Sequence, residues 1–390
     1  MSDPDPELVL VESSEALARL VERVGAEPRV ALDTEANSLH AYRERVCVVQ
    51  LSVPGLDAIV DPLRVPDLSP LAGLAARDDL EIVFHGGDYD VAMLSREHGF
   101  TFRRVFDTMI AATLLGDERV GLAALVEQAY GLVLSKRYQT ADWAHRPLTP
   151  AHVTYLRGDT RHLLDLRARL GARLEAADLV EEADIEFRRL AARKGSVPTD
   201  DPEAWRGVKG ADALDAAGRA VLARVFAWRE ATARSHDVPR FRVLGNEAML
   251  ALATRPPADL DALGSTPGVR GVVAQGDGPA LLAVVRDGVD AAARGEAPPA
   301  PTRPRRTPEE RAQADLVRER EERVRRWRND EARRRGVPNV VVLPNPAMAA
   351  MAQAPPADLE ALAAMPDVGR KRAARYGETI LRLLAPPAGP

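Results

Sequence analysis

The chain has one cysteine, Cys47, in 390 residues. No intrachain disulfide can form. Cys47 lies in the apolar run VCVVQLSV (46–53) and reads as a buried strand residue. No apolar stretch reaches the ~18 uninterrupted residues that a spanning helix needs, so no membrane partner is expected. The opening MSDPDPELVL is acidic and lacks a basic n-region, so a secretory signal is not expected either. A soluble cytoplasmic protein is the expectation. Lysine is scarce: Lys136, Lys194, Lys209 and Lys371 are the whole set. Arginine replaces it, a bias that GC-rich codon usage explains. There is no net positive charge, and the balance of -5 gives no global sign of nucleic-acid binding. The distribution is uneven, however. Residues 297–390 hold 18 Arg/Lys against 12 Asp/Glu, a net +6, which leaves -11 for residues 1–296. A basic end follows an acidic body.

The length suits two or three domains. Residues 29–33, 46–53 and 57–61 are rich in β-branched side chains and read as an antiparallel meander. Residues 81–85 and 102–106 read as two further strands. Helices are expected near 69–77, 89–98, 108–115, 121–131 and 150–176. Strands followed by alternating helix and strand predict a mixed five-stranded sheet with flanking helices. Thr149-Pro150 opens the last helix, because Thr149 can cap it and Pro150 tolerates the first turn. Gly158 inside it costs roughly 1 kcal/mol relative to Ala.

From residue 212 onward the pattern changes to short helices and repeats itself at an offset of 99. Trp228, Pro239, Leu244, Pro257, Asp259, Leu260, Pro267 and Val269 recur as Trp327, Pro338, Leu343, Pro356, Asp358, Leu359, Pro366 and Val368. Two small all-α domains are expected, at 208–295 and 309–390, after a first domain at 1–200. The Pro-rich segment 296–308 reads as a semi-extended linker. Residues 309–335 predict a helix with charges of both signs interspersed on a solvated surface.

Three segments each deliver carboxylates at the end of an apolar run. VALDTEANS holds Asp33 and Glu35, HGGDYDVAML holds Asp88 and Asp90, and YLRGDTRHLL holds Tyr155 and Asp159. Residues i and i+2 of a strand share a face, so Asp33 and Glu35 lie side by side. Residues i and i+4 of a helix share a face, so Asp159 can reach a metal while Tyr155 reaches an attacking water. With an ordinary pKa of ~10, a tyrosine orients water better than it acts as a base. Crowded carboxylates repel without cations, and divalent cations prefer carboxylate oxygens. Two such ions ~3.5–4 Å apart can serve both the attacking and the departing oxygen of a phosphodiester. Each pair alone is commonplace, and Asp88 and Asp90 also suit helix capping. The combination carries the signal.

These segments resemble ribonuclease D, a family of 3′–5′ exonucleases within the DEDD superfamily with a ribonuclease-H-like fold. ALDTEANSLHAYRERVCVVQLS is similar to its first motif, FHGGDYDVAML to its second and DWAHRPLTPAHVTYLRGDTRHLLDL to its third. FDTMIAATLLG (106–116) also resembles the family, and the likeness spans roughly residues 7–175. The two repeats resemble the helicase-and-RNase-D C-terminal (HRDC) domain. The resemblance implies that Asp33, Glu35, Asp90 and Asp159 hold two Mg²⁺ or Mn²⁺ ions, with Asp33 bridging them. It implies that Tyr155 aligns the attacking water and that 5′-mononucleotides are released. It assigns Asp90 to the set and leaves out Asp88, two residues away. His85 fits the second motif and also suits a structural role, and Asp107 suits a cap or turn. Arg157 and Gly158 depart from the small apolar residues common in the third motif and put local helix stability in question.

The second repeat retains P-x-V-G-x-K, whose backbone N–H groups with Lys371, Arg372 and Arg375 suit a phosphate. The first repeat lacks that basic cluster. The expected activity is metal-dependent 3′–5′ trimming of structured RNA with a free 3′ end, such as tRNA precursors, with no nucleotide cofactor. A DNA exonuclease and a non-catalytic nucleic-acid-binding protein on the same scaffold are the alternatives.

Overall fold

The computed structural model describes residues 5–196, 200–300 and 307–385. The chain separates into two compact units. One comprises residues 1–36, 46–196 and 306–390, and the other comprises residues 37–45 and 197–305.

The first unit holds a six-stranded mixed sheet in the order β1-β4-β3-β2-β5-β6. The strands are β1 (Glu7–Val11), β2 (Arg29–Ala36), β3 (Val46–Val53), β4 (Leu56–Val60), β5 (Glu81–Phe84) and β6 (Arg104–Asp107). The expected meander is present, since β2–β3 and β3–β4 pair antiparallel. β1–β4, β2–β5 and β5–β6 pair parallel. Five strands were expected and six form. The addition is β1, ELVLV, which pairs along β4. Its Leu8 and Leu10 are exposed. The segment therefore lacks the one-sided alternation that marks a strand in sequence, and pairing alone makes it one.

Helices α1 (Ser14–Gly25), α2 (Ser69–Ala75) and α3 (Asp88–His98) cover one face of the sheet. Leu17, Leu20, Leu71 and Leu94 pack there on Val30, Leu32, Val49 and Leu51. The other face carries α4 (Thr108–Leu114), α5 (Leu122–Tyr130), α6 (Pro150–Thr160) and α7 (Leu163–Ala176), followed by α8 (Val180–Ala191). Ala31 and Val83 meet Leu163, Leu166 and Leu170 on that side. Side chains alternate along β2, so Asp33 and Glu35 continue the face of Ala31. The expected single helix over 150–176 is two helices, broken at Arg161–His162. The break lets α6 lie over β3 and β4 while α7 crosses β2 and β5. No Gly or Pro marks it.

The second unit contains α9 (Ala216–Ser235), α10 (Arg240–Val243), α11 (Asn246–Thr254), α12 (Leu260–Ser265), α13 (Arg270–Ala274) and α14 (Gly278–Ala293). Tyr42, from residues 37–45, packs into its core and hydrogen-bonds Glu230 through its hydroxyl. The second repeat belongs to the first unit and contains α15 (Pro308–Arg335), α16 (Asn339–Val342), α17 (Asn345–Gln353), α18 (Leu359–Ala364) and α19 (Gly369–Leu384). The copies match in chemistry as well as order. Arg229 donates to Asn246 Oδ1 at 2.8 Å, and Arg328 donates to Asn345 Oδ1 at 2.6 Å. Asp259 and Asp358 cap α12 and α18 in the same way. They differ at the end, where α19 is one continuous helix in place of α13 and α14. Of the expected linker, residues 301–306 lie outside the described residues. Its beginning is held by Arg206 and Arg219, which donate to the carbonyls of Pro299 and Pro298. Among the described residues no helix is long and apolar enough to cross a membrane.

Candidate active site

The end of β2 brings two carboxylates to the α6 face, and α6 brings the third. Asp33, Glu35 and Asp159 each offer an oxygen, and these oxygens lie within 4.8 Å of one another. Asp90 stands apart from this trio. It occupies the first turn of α3, where its Oδ1 accepts from the Thr34 N–H at 3.0 Å and the Thr34 hydroxyl at 2.5 Å. Its charge still bears on the trio and raises the pKa of Asp33, Glu35 and Asp159. Asp88, one helical position before Tyr89, points outward and pairs with Arg193 at 2.9 Å.

Burial, joined within the trio by repulsion from neighbouring carboxylates, raises these groups above the ordinary carboxyl range. Desolvation, then Asp90, Asp159 and Glu35, pushes Asp33 well up. Desolvation, then Asp159 and Asp90, pushes Glu35 up to about 9. Desolvation, then Asp90, raises Asp159 to about 7, and Asp90 itself is raised to about 6, chiefly by burial. Asp159 Oδ2 is buried without a hydrogen-bond partner. Hard oxygen donors with an unmet buried acceptor suit Mg²⁺ or Mn²⁺, which would relieve the repulsion.

Tyr155 is half-buried, and its ring is fixed by aromatic neighbours. Trp143 stacks on it at 5.7 Å with an interplanar angle of 28°, and Tyr138 meets it edge-on at 5.9 Å. Burial, then the Asp159 and Glu35 charges, raises its pKa, so the phenol keeps its proton. The Trp143 N–H lies near enough to Glu35 to lower its pKa slightly, without the geometry of a hydrogen bond. Arg146 anchors the Trp143 segment through a two-pronged contact with buried Asp61, at 2.6 and 2.9 Å, and through the Cys47 carbonyl.

The supporting residues explain the sequence around each ligand. Thr149 caps α6 as expected, with His152 completing a capping box. Arg157, a departure from the third motif, is a clamp: it donates to Asp57 Oδ2 at 2.8 Å and to the Pro6 carbonyl at 2.8 Å. Asp107 caps α4 as expected, and also accepts from the Gly87 N–H at 2.8 Å. A side chain at Gly87 would come within 2.6 Å of Phe84, so the turn before Asp90 requires glycine. Thr108 donates to the Phe84 carbonyl, which leaves its oxygen to accept from His85 Nδ1–H at 2.9 Å. Burial lowers the His85 pKa and keeps the ring neutral.

Asp33, Glu35, His85, Tyr155 and Asp159 line one cavity of about 810 Å³. Arg119, Leu122, Leu134, Lys136 and Gln139 complete its wall. Sequence reasoning passed over Lys136 and Trp143. The rarity of lysine was a usable signal for the first, and the DWAHRPL segment for the second.

The expected phosphate-holding trio is largely occupied. Lys371 pairs with Asp178 at 2.8 Å and Glu182 at 3.5 Å, and its N–H donates to both Glu181 oxygens at 3.2 Å. Arg372 is buried and donates to the carbonyls of Val340, Val341, Asp367 and Val368. Only Arg375 of the three is exposed.

Residues 8–175 match the family model described as a 3′-5′ exonuclease, and residues 218–285 and 318–384 each match the HRDC domain. Ribonuclease D of Acidiphilium cryptum is 34% identical over 305 residues, covering 77% of this chain and 76% of the relative. The catalytic core of RRP6 from Trypanosoma brucei superposes with a TM-score of 0.64 at 28% identity, covering 75% of this chain and 82% of that one. The fold of Escherichia coli RNase D covers 98% of this chain and 99% of that one, with a TM-score of 0.66 at 24% identity. Carboxylate cluster, fold and kinship agree: the chain belongs to the ribonuclease D family of 3′–5′ exoribonucleases.

Proposed function

We propose that this exoribonuclease trims the 3′ ends of structured RNA such as tRNA precursors by two-metal hydrolysis, releasing 5′-mononucleotides. The convergence of Asp33, Glu35 and Asp159 beside Tyr155 in one cavity carries this reading. Asp33, Glu35 and Asp159 would hold the two divalent ions, Mg²⁺ or Mn²⁺, with Asp90 completing the set by turning from Thr34. Bound cations supply Lewis-acid stabilisation of the attacking and departing oxygens. The protonated Tyr155 hydroxyl orients the water, and the Trp143 stack fixes its direction. Lys136 places positive charge on the cavity wall, where RNA phosphates enter, while Arg119 there is paired with Glu127. In this reading the catalytic domain spans 1–200, and helical domains at 208–295 and 309–390 flank the 296–308 linker. Arg375 remains a candidate phosphate contact.

The test is digestion of 3′-extended tRNA, single-stranded RNA and single-stranded DNA with Mg²⁺ or Mn²⁺, with product sizes resolved over time. Mononucleotides appearing from the first time point on the RNA substrates are expected. Asp33→Asn should abolish hydrolysis with the fold intact. Internal cleavage products, or full activity of Asp33→Asn, would sink the proposal, and a preference for DNA would reassign the substrate.

A further inference from the structure

We propose that Gln50 is a positioning residue of the acidic centre, whose unmet amide N–H receives the Asp33 carboxylate when divalent cations bind. This rests on the cation reading given above. Gln50 lies in the middle of β3 and is 1% exposed. Neither its amide nitrogen nor its amide oxygen has a hydrogen-bond partner. A buried amide with both ends unmet is rare in a folded protein, because desolvation is uncompensated. A leucine would fill the same place without that penalty.

Its neighbours show where it points. Val49 and Leu51 pack on the α1–α3 side of the sheet. Val48 packs with Trp143 and Leu156 on the α6 side. The Ser52 hydroxyl lies 2.7 Å from that of Thr160, at the end of α6. Gln50, between Val48 and Ser52, shares their face. In the β2–β3 ladder it stands directly opposite Asp33. Residues opposite one another carry their side chains on the same face, with Cβ atoms about 5 Å apart. The unmet Asp159 Oδ2 belongs to the helix that roofs the same strands. An unmet donor thus sits on the site face of the sheet next to a carboxylate of the cluster.

The residue type fits the task. An amide N–H fixes a carboxylate oxygen without adding positive charge. A lysine or arginine there would neutralise Asp33 and compete with the cations. Residues that orient metal ligands in this way are worth about 10–100-fold in metal affinity.

The experiment compares the full-length protein with Gln50→Leu and Gln50→Met by Mn²⁺ titration calorimetry, with thermal unfolding of the metal-free forms. Mn²⁺ affinity should fall by about tenfold or more in both variants. The metal-free unfolding midpoint should hold or rise, since an unmet amide is removed. At saturating Mn²⁺, kcat should fall while the KM for RNA stays. Mn²⁺ affinity within about twofold of the parent overturns the proposal. So does a lowered midpoint or failure to fold in both variants, which would assign Gln50 to the core. If the parent itself binds no Mn²⁺ while remaining folded, the cation reading fails first, and that result is distinct from the others.

Discussion

Trp143 is 1% exposed, and it touches the chemistry through one ring face rather than a hydrogen bond. It is buried and stacks on Tyr155, so its loss acts on folding and on geometry together. Trp143→Ala should cost about 3–5 kcal/mol in chemical denaturation, as for other large core truncations. It should lower kcat more than the KM for RNA. Trp143→Phe, which keeps a stacking surface, should recover most of the rate. Equal rates for the alanine and parent proteins would show that the stack does not set Tyr155. The spacing of Asp33 and Glu35 puts both on one face, because strand periodicity is local, and their oxygens do converge. The spacing does not show that Asp90 turns to Thr34. That contact spans 56 residues, and no local rule reports it.

Helix α6 carries Tyr155 and Asp159 on a segment weakened by Gly158. A methyl group there would meet only Leu134 Cδ2, at 3.8 Å. Gly158→Ala should therefore gain about 1 kcal/mol, the helix-propensity difference, and raise the urea midpoint without loss of hydrolysis. A drop in stability would mean that the helix must bend at this position. Arg157, also a departure from the third motif, gives back order at the next residue by clamping Asp57. The turn into α19 tests a different element. Gly369 has φ +80°, and a side chain there would lie 2.4 Å from Glu181 Oε1 and 2.8 Å from Ile185 Cδ1. Gly369→Ala should loosen α19 from α8 by more than about 1 kcal/mol. Limited proteolysis of the 308–390 region should then accelerate. Unchanged proteolysis would show that the contact is not needed for docking. In sequence this turn suits a phosphate, since P-x-V-G-x-K offers the same N–H groups to any anion. The structure supplies the anion from its own chain, as the Glu181 carboxylate.

In the whole molecule the acidic cluster links stability to pH and to cations. Glu35, Asp159 and Asp90 have folded values of about 9, 7 and 6, above their ordinary 4.5, 3.8 and 3.8. Groups raised in this way contribute stability that is fully present below the ordinary value. That stability is lost as pH rises through the folded value. The metal-free protein should therefore lose thermal stability through these groups between about pH 4 and pH 9. Divalent cations, which favour the ionised carboxylates, should offset the loss. The Mg²⁺-induced rise in unfolding midpoint should be larger at pH 8 than at pH 5. An equal rise at both values would argue that cations do not bind this cluster.

The chemical set and the duplication are legible in the residues alone. Asp33-x-Glu35, Tyr155-x3-Asp159 and the 99-residue offset are readable because strand, helix and repeat periods are local properties of the chain. Most elements are legible there too, since burial periodicity and caps such as Thr149 and Asp107 act within a few residues. What each group meets emerges only on folding. The tertiary structure added β1 at the edge of the sheet, broke the 150–176 helix in two, and turned Lys371 and Arg372 onto protein partners. It left Gln50 unmet opposite Asp33. These outcomes depend on contacts between residues far apart in sequence, and their energies arise only when packing brings the groups together.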